Sequence, residues 1–318
     1  MVYKLMSVAD IGDLFLKGEL LMRVFITGAS GWIGSVTVDE LLAGGHQVLG
    51  LARSDTSAAA LQAKGAQVHR GDLDDLDSLR TGAAAADAVI HLANKHDFVN
   101  AAATNNTERT AVETIGEALA GSNRVFVVAS GVGSVPGRAF TEQDPSPQHG
   151  PDSHRGGSEN LALDYADRGV HTIIARFAPT VHGAGDKGFI KLLVEIAREK
   201  GISGYVADGA NRWPAVHRSD AGRVVSLGLQ KAPAGAILHA VGEDGVPTRE
   251  IAEAIGHQLG VPAVSVAPEE AAAHFGWLSW IFALDLPTSS GLTQELLGWT
   301  PTGPTLGDDL RTDSYFRN

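Results

Sequence analysis

The chain has 318 residues, 44% of them hydrophobic, and sets 25 Lys and Arg against 37 Asp and Glu, a formal net charge of −12. That length suits one large domain or a core with a smaller lobe, and an acidic chain with no Lys/Arg run argues against nucleic acid or an anionic membrane as partner. The chain has no cysteine, which excludes disulfides, thiolate nucleophiles and Cys-ligated metals and is compatible with a reducing cytoplasm.

Residues 1–21 lack a basic start, a long apolar segment and a small-residue cleavage site, so they do not read as a signal peptide. They are expected to be an N-terminal extension before Met22, with a short docking helix as the alternative. No apolar run reaches the length needed to span a bilayer. From Met22 onward, strand and helix signals alternate at short spacing. Val24–Ile26 is the first predicted strand and Trp32–Leu42 the helix after it. Gln47–Ala52, Gln67–His69, Ala88–Leu92 and Val125–Ala129 are further strands. The helices between them are Ser57–Ala63, Leu76–Thr81 and Asn105–Ala120. Gly131–Pro151, rich in Gly, Pro and Ser, reads as a long loop. Ser158–Asp167 is a predicted helix and Thr172–Arg176 a sixth strand. The predicted fold is therefore α/β, a doubly wound parallel sheet of Rossmann type spanning 22–178, and the Val-Ile-Leu character of its strands suits burial on both faces. Beyond it, 179–318 reads as a mixed region that returns to the sheet and adds a smaller substrate lobe. Its predicted helices are Phe189–Glu199, Asp220–Gln230, Glu250–Leu259 and Pro268–Phe275, and its strands Trp213–Val216 and Ala236–Ala240.

The richest stretch is MRVFITGASGWIG, Met22 to Gly34. Gly28, Gly31 and Gly34 fall between an apolar strand and a helix. A pyrophosphate approaches backbone closely only where side chains are absent, and the N–H groups of a helix start face its charge. Gly28, Ser30, Gly31, Trp32, Ile33 and Gly34 are the expected cofactor turn. Arg53 and Ser54 follow the second strand, where a dinucleotide site selects between a ribose hydroxyl and a 2′-phosphate. Arginine favours the phosphate, hence NADP, with NAD the alternative because Asp55 follows directly. After the third strand Asp72 is either an acceptor for adenine or a helix N-cap, and Leu73 would pack on the ring. Leu92, Ala93 and Asn94 would line the ribose and nicotinamide side. Pro179 and Thr180 either touch the carboxamide or merely end a strand.

TGASGWIG, GDL, HLA, the VVAS strand end, RFAPTVHG and WPAVHRSD appear in order from Met22 to about Asp220. Together they resemble the extended short-chain dehydrogenase/reductase superfamily, of the NAD(P)-dependent epimerase/dehydratase type. The resemblance implies a Rossmann core, a small C-terminal substrate lobe, and a homodimer formed through the helices at Asn105–Ala120 and Ser158–Asp167. It also implies a Ser after the fifth strand, here Ser130, and a Tyr-x-x-x-Lys pair on the next helix. No tyrosine in this chain has Lys four residues later. Placing S-E-N-L-A-L against the family pattern sets Arg155 at the tyrosine position and Glu159 at the lysine position, as in atypical members that vary the acid and base. Glu159 would then hold the ribose hydroxyls. Arg155 would stabilise an oxyanion while being a poor proton donor, and His154 is a nearby group that titrates near neutrality. The plain alternative is an i,i+4 ion pair between Arg155 and Glu159.

Ser130, His154, Arg155 and Glu159 are thus the candidate catalytic residues. His182 and His217 either face the cleft or serve structure. His149, Asp152 and His154 lack regular ligand spacing, so no metal is expected. The aromatic segment Trp277–Leu286 either roofs an apolar substrate pocket or is lobe core. The expected function is an NADP-dependent oxidoreductase of a small, apolar carbonyl or alcohol. The alternatives are a catalytically silent NADP(H) sensor and an epimerase or isomerase.

Overall fold

The computed structural model describes residues 21–97 and 100–316. The expected N-terminal extension, apart from Leu21, lies outside the described residues. The strands are β1 (Arg23–Thr27), β2 (Gln47–Ala52), β3 (Gln67–Arg70), β4 (Ala88–His91), β5 (Val125–Gly131), β6 (His171–Phe177), β7 (Thr180–His182), β8 (Ser203–Val206), β9 (Arg212–His217), β10 (Ile237–Ala240), β11 (Glu243–Pro247) and β12 (Ala263–Val266). The longer helices are α1 (Trp32–Ala43), α2 (Asp55–Ala63), α3 (Leu76–Ala84), α4 (Ala101–Leu119), α5 (Ser158–Asp164), α6 (Phe189–Lys200), α7 (Arg218–Lys231) and α8 (Thr248–Leu259).

Seven strands form one parallel sheet in the order β10-β6-β5-β4-β1-β2-β3. The chain winds outward from β1 through β2 to β3, then returns to lay β4 on the other flank of β1. This reversal is the topological switch point, where open α/β sheets bind ligands beyond the carboxyl ends of their strands. Alternation sorts β1 between two cores: Val24 and Ile26 join Val38 and Leu41 of α1 and Val224 of α7, while Phe25 joins Leu79 of α3 and Ile115 of α4. Covered on both faces, β1 needs apolar residues at every position, and this is why VFI is legible as a buried parallel strand.

Residues beyond 179 supply β10, α7 and a second core. There Ile190, Leu193 and Val194 of α6 meet Trp213, Ile251, Phe275 and Phe282. The strands missed in the sequence are β7, β8, β11 and β12, each three to five residues long. Their stability is non-local: β8 pairs in parallel with β12, Ser203 opposite Ala263, so neither reads as a strand by itself.

On α4, the apolar stripe Ala111, Ile115, Ala118 and Leu119 packs inward: Ala111, Ile115 and Leu119 are wholly buried against this chain's own sheet and α3. The Trp277–Leu286 segment is split between core and surface: Leu278, Phe282 and Leu286 are buried in the lobe core, whereas Trp277, Trp280 and Leu284 are exposed. No helix among the described residues is long and apolar enough to cross a membrane.

Candidate dinucleotide and active site

The glycine turn sits at the switch point. Gly28 has a φ of +69°, and a Cβ there would stand 2.8 Å from the Ala93 nitrogen beyond β4. A Cβ on Gly34 would run into the Gly28 carbonyl oxygen. Both glycines are thus required by the chain's own close approach of turn, strand and helix. Helix α1 starts at Gly31 with no side-chain cap and no acidic residue in its first turn. Its first N–H groups therefore keep their positive end for an external anion, which fits a dinucleotide pyrophosphate. Ser30 and Gly31 are exposed, Ile33 is half-buried.

Trp32 has a further job. Its Nε1 donates to the Val181 carbonyl at 2.7 Å, and the Arg218 guanidinium lies 3.8 Å from the ring centroid. Arg218 Nη2 also donates to the Trp32 carbonyl and to Ser35 Oγ, at 3.1 and 2.8 Å. The turn is thereby tied to β7 and α7.

Arg53 and Ser54 leave the end of β2, and Arg70 ends the neighbouring β3, with Ala52 opposite Arg70. Arg53 is exposed and has no ion pair among the described residues. Asp55, the carboxylate that competes for a ribose hydroxyl, is engaged by Arg70 at 2.5 Å. Ser54 caps α2 in a reciprocal box with Ser57, which fixes the turn carrying Arg53. Asp72 accepts the backbone N–H groups of Asp74 and Asp75, so one oxygen holds its own turn. Leu73 packs on the edge of the α3–α4 core. Across β1, the Thr27 hydroxyl accepts Ala93 N–H at 3.3 Å and contacts His91 Nδ1 at 2.8 Å. Leu92 and Ala93 follow, half-buried, and so is Pro179 beyond β6. Thr180 is buried, and its Oγ1 has no bonding partner.

The substrate end is built around an ion pair that the sequence did not reveal. Arg155 Nη2 donates to Glu108 Oε1 at 2.5 Å and to the Ala129 carbonyl, one residue before Ser130, at 3.1 Å. Glu108 is 1% exposed and its Oε2 accepts Asn94 Nδ2 at 2.6 Å. Burial alone would raise the Glu108 carboxyl; the charges of Arg155 and His91 and the hydrogen bonds from Arg155 and Asn94 outweigh it and hold it below the ordinary value. His91 is fully buried, and desolvation, with Arg155 as a smaller contributor, depresses its pKa. Desolvation first, then the Arg155 charge, also lowers His96 and His154, whose residues keep substantial exposed surface. Ser130 is 9% exposed, and its hydroxyl has no hydrogen-bond partner among the described residues.

Arg155 is not on the helix where its spacing placed it. Arg155, Gly156 and Gly157 all have φ between 54° and 62°, a left-handed turn that precedes α5. Glycine accepts this conformation freely, whereas Arg155 is strained by ~1–2 kcal/mol and is held by its bonds, including its own N–H to Asn105 Oδ1. The alternative reading, an Arg155–Glu159 pair, therefore does not hold. Glu159 is instead buried against Arg176, with Oε1 2.5 Å from Nη2 and 3.1 Å from Nε. Arg176 also donates to the Asp144 carbonyl and lies over the Phe140 ring. Both carboxylate and cation serve that structural knot, and Glu159 is not presented to a ribose. Tyr165 is likewise structural, its hydroxyl donating to Glu117 Oε1 at 3.0 Å. His182 is buried with Nδ1 2.6 Å from Asp309, and His217 bonds Ser219; both belong to the packing of the C-terminal segment on β7 and β9. Among the described residues no group of three His, Asp or Glu side chains is placed to hold a metal ion.

Glu108 had one signal in the sequence. It lies at helical spacing with Thr104, Ala111, Val112 and Ile115, a single carboxylate on the buried face of α4. A charge there calls for a buried partner.

The profile of the NAD dependent epimerase/dehydratase family matches residues 24–240. An uncharacterized protein of Schizosaccharomyces pombe is 47% identical over 297 residues, covering 93% of this chain and 100% of that protein. The 2′-dehydrokanamycin reductase of Streptomyces kanamyceticus is 30% identical over 274 residues, covering 80% of this chain and 72% of its own. Among solved structures, a dTDP-glucose 4,6-dehydratase of Streptomyces venezuelae with NAD and TYD bound superposes with a TM-score of 0.74 at 24% identity, over 93% of this chain and 97% of the other.

Proposed function

The chain belongs to the NAD-dependent epimerase/dehydratase family, and on that premise we propose that it is an NADP-dependent reductase of a small carbonyl-type substrate. One observation carries the reading: the free hydroxyl of Ser130 lies one residue from the carbonyl that anchors Arg155, at the carboxyl ends of the strands. The α1 N-terminus holds the pyrophosphate, Arg53 and Ser54 the 2′-phosphate, Asp72 and Leu73 the adenine end, and Leu92 to Asn94 with Pro179 and Thr180 the nicotinamide end. Bound there, the cofactor supplies hydride. Ser130 donates a hydrogen bond to the reacting oxygen, and Arg155 adds a fixed positive charge. We place the protein in the cytoplasm and read it as a homodimer on the same footing, with its contact on a face other than the covered α4 stripe.

A silent NADP(H) binder is the second reading, favoured by the withdrawal of Glu159 into its pair with Arg176. The test is NADPH binding by fluorescence, then NADPH oxidation across ketones, aldehydes, imines and activated alkenes. Ser130→Ala is expected to lower turnover about 10- to 1000-fold, the scale of one positioned donor, with NADPH binding intact. NADPH binding without turnover of any panel member favours the silent binder. Unchanged turnover in Ser130→Ala removes that hydroxyl from the chemistry.

A further inference from the structure

Resting on that reading of the site, we propose that the substrate is a conjugated carbonyl compound, an α,β-unsaturated ketone or aldehyde, whose oxygen Arg155 holds as an enolate. The argument starts from the donors that Arg155 keeps. Its Nη2 is engaged by Glu108 and by the Ala129 carbonyl. Among the described residues its Nε and Nη1 hydrogens meet no acceptor, and the side chain is 22% exposed. A guanidinium offers charge and N–H groups but does not give up a proton.

Reduction of an isolated carbonyl makes an alkoxide, a strong base that calls for an acid as it forms. The described groups facing Arg155 supply none. Glu108 is an ionised carboxylate in an ion pair. His91 is buried with Nε2 unbonded, and desolvation first, with the Arg155 charge adding to it, lowers the pKa of His91, His96 and His154. Tyr165 is bonded on the far side of α4 to Glu117, and Tyr315 to Asp186 in the C-terminal segment. A site with a fixed cation, a hydroxyl and no acid suits an oxyanion that needs charge rather than a proton.

An enolate is that oxyanion. Hydride from a dihydronicotinamide adds to the β-carbon and forms the new C–H bond. The alkene pair moves between the α-carbon and the carbonyl carbon, and the carbonyl π pair moves onto oxygen, beside Arg155. The enolate then collapses as its α-carbon takes a proton from water. The alkene is reduced, the nicotinamide is oxidised, and one solvent proton is consumed. Glu108 and Asn94 are positioning residues: they touch Arg155 or its partner and aim the cation.

4-Nitrophenol, whose phenolate imitates the enolate oxygen and absorbs at its own wavelength, tests this without turnover. Titrated below its solution pKa, the probe is expected to bind as phenolate, its ionisation shifted down by ~1–3 units. Arg155→Lys is expected to keep the phenolate signal. The double variant Arg155→Met/Glu108→Gln removes both charges of the buried pair together, and it is expected to melt cooperatively and lose the signal. In parallel, NADPH oxidation by 2-cyclohexenone is expected to exceed that by cyclohexanone by about 100-fold, the scale of an oxyanion site. A probe that binds only as neutral phenol or not at all, or cyclohexanone reduced as fast as cyclohexenone, overturns the proposal. NADPH binding is followed separately by fluorescence: its absence overturns the reductase reading itself, whereas intact binding with a failed probe overturns the substrate class alone.

Discussion

The glycine turn between β1 and α1 and the Glu108–Arg155 corner flank the same crevice but are made of different things. The turn is backbone: Gly28 and Gly34 are there because strand, turn and helix approach closer than any side chain allows. The corner is side chain, a pair formed between residues 47 apart. Backbone geometry forces residue types at fixed spacing, and a side-chain pair forces only that two charges meet somewhere. The cofactor half of such a site is accordingly hard to change and easy to read. The substrate half changes readily.

The strongest way to break this comparison is Gly34→Val. The obstruction is a backbone carbonyl that cannot move aside, so the expected cost is about 3 kcal/mol or more and a Tm lower by ~10 °C. Gly131, beside Ser130, has open space around its Cβ position, and Gly131→Ala should stay within about 0.5 kcal/mol. Equal melting of the two variants would refute the claim that the turn is sterically closed. Next in size is Arg53→Ala, expected to weaken NADPH by ~1–3 kcal/mol and NADH hardly at all, as read by fluorescence titration. Equal losses for both cofactors would remove Arg53 from the 2′-phosphate.

The smallest effect sharpens the corner. His91 is buried with a pKa below its ordinary 6.5, so below that value the unfolded chain binds the proton more readily than the native one. Stability from this residue is therefore complete above about pH 6.5 and lost as the pH falls below it. Thermal melts from pH 8 to 5 should show the decline, and His91→Gln should flatten it. A slope unchanged in the variant would assign the acid lability elsewhere, for example to His182 or His239, which desolvation also depresses.

The sheet was legible wherever burial on both faces demanded continuous apolar residues, as in VFI of β1 and VFVV of β5. The strand ends themselves were legible because topology delivers every carboxyl end to one side of the sheet. The short strands β8 and β12 were not, since each exists only through the other. Arg155 was found in its region but given the wrong partner. Helical spacing put Glu159 one turn away, and the glycines at 156 and 157, which signal a left-handed turn, break that spacing. Glu108 was missed because a lone carboxylate in α4 reads as a solvated face until the helix is docked. The aromatic segment after Gly276 read as either pocket roof or lobe core, and only packing tells which of its residues are covered.

The left-handed turn at Arg155 to Gly157 also limits what positions 155 and 159 can accept. Tyrosine at 155 would inherit a φ of 54° and leave Glu108 buried with its countercharge gone. Lysine at 159 would place a second cation against Arg176, 1% exposed, in exchange for its carboxylate. Each single change is expected to destabilise the protein, and the two together would not share one helical face, because the left-handed turn lies between them.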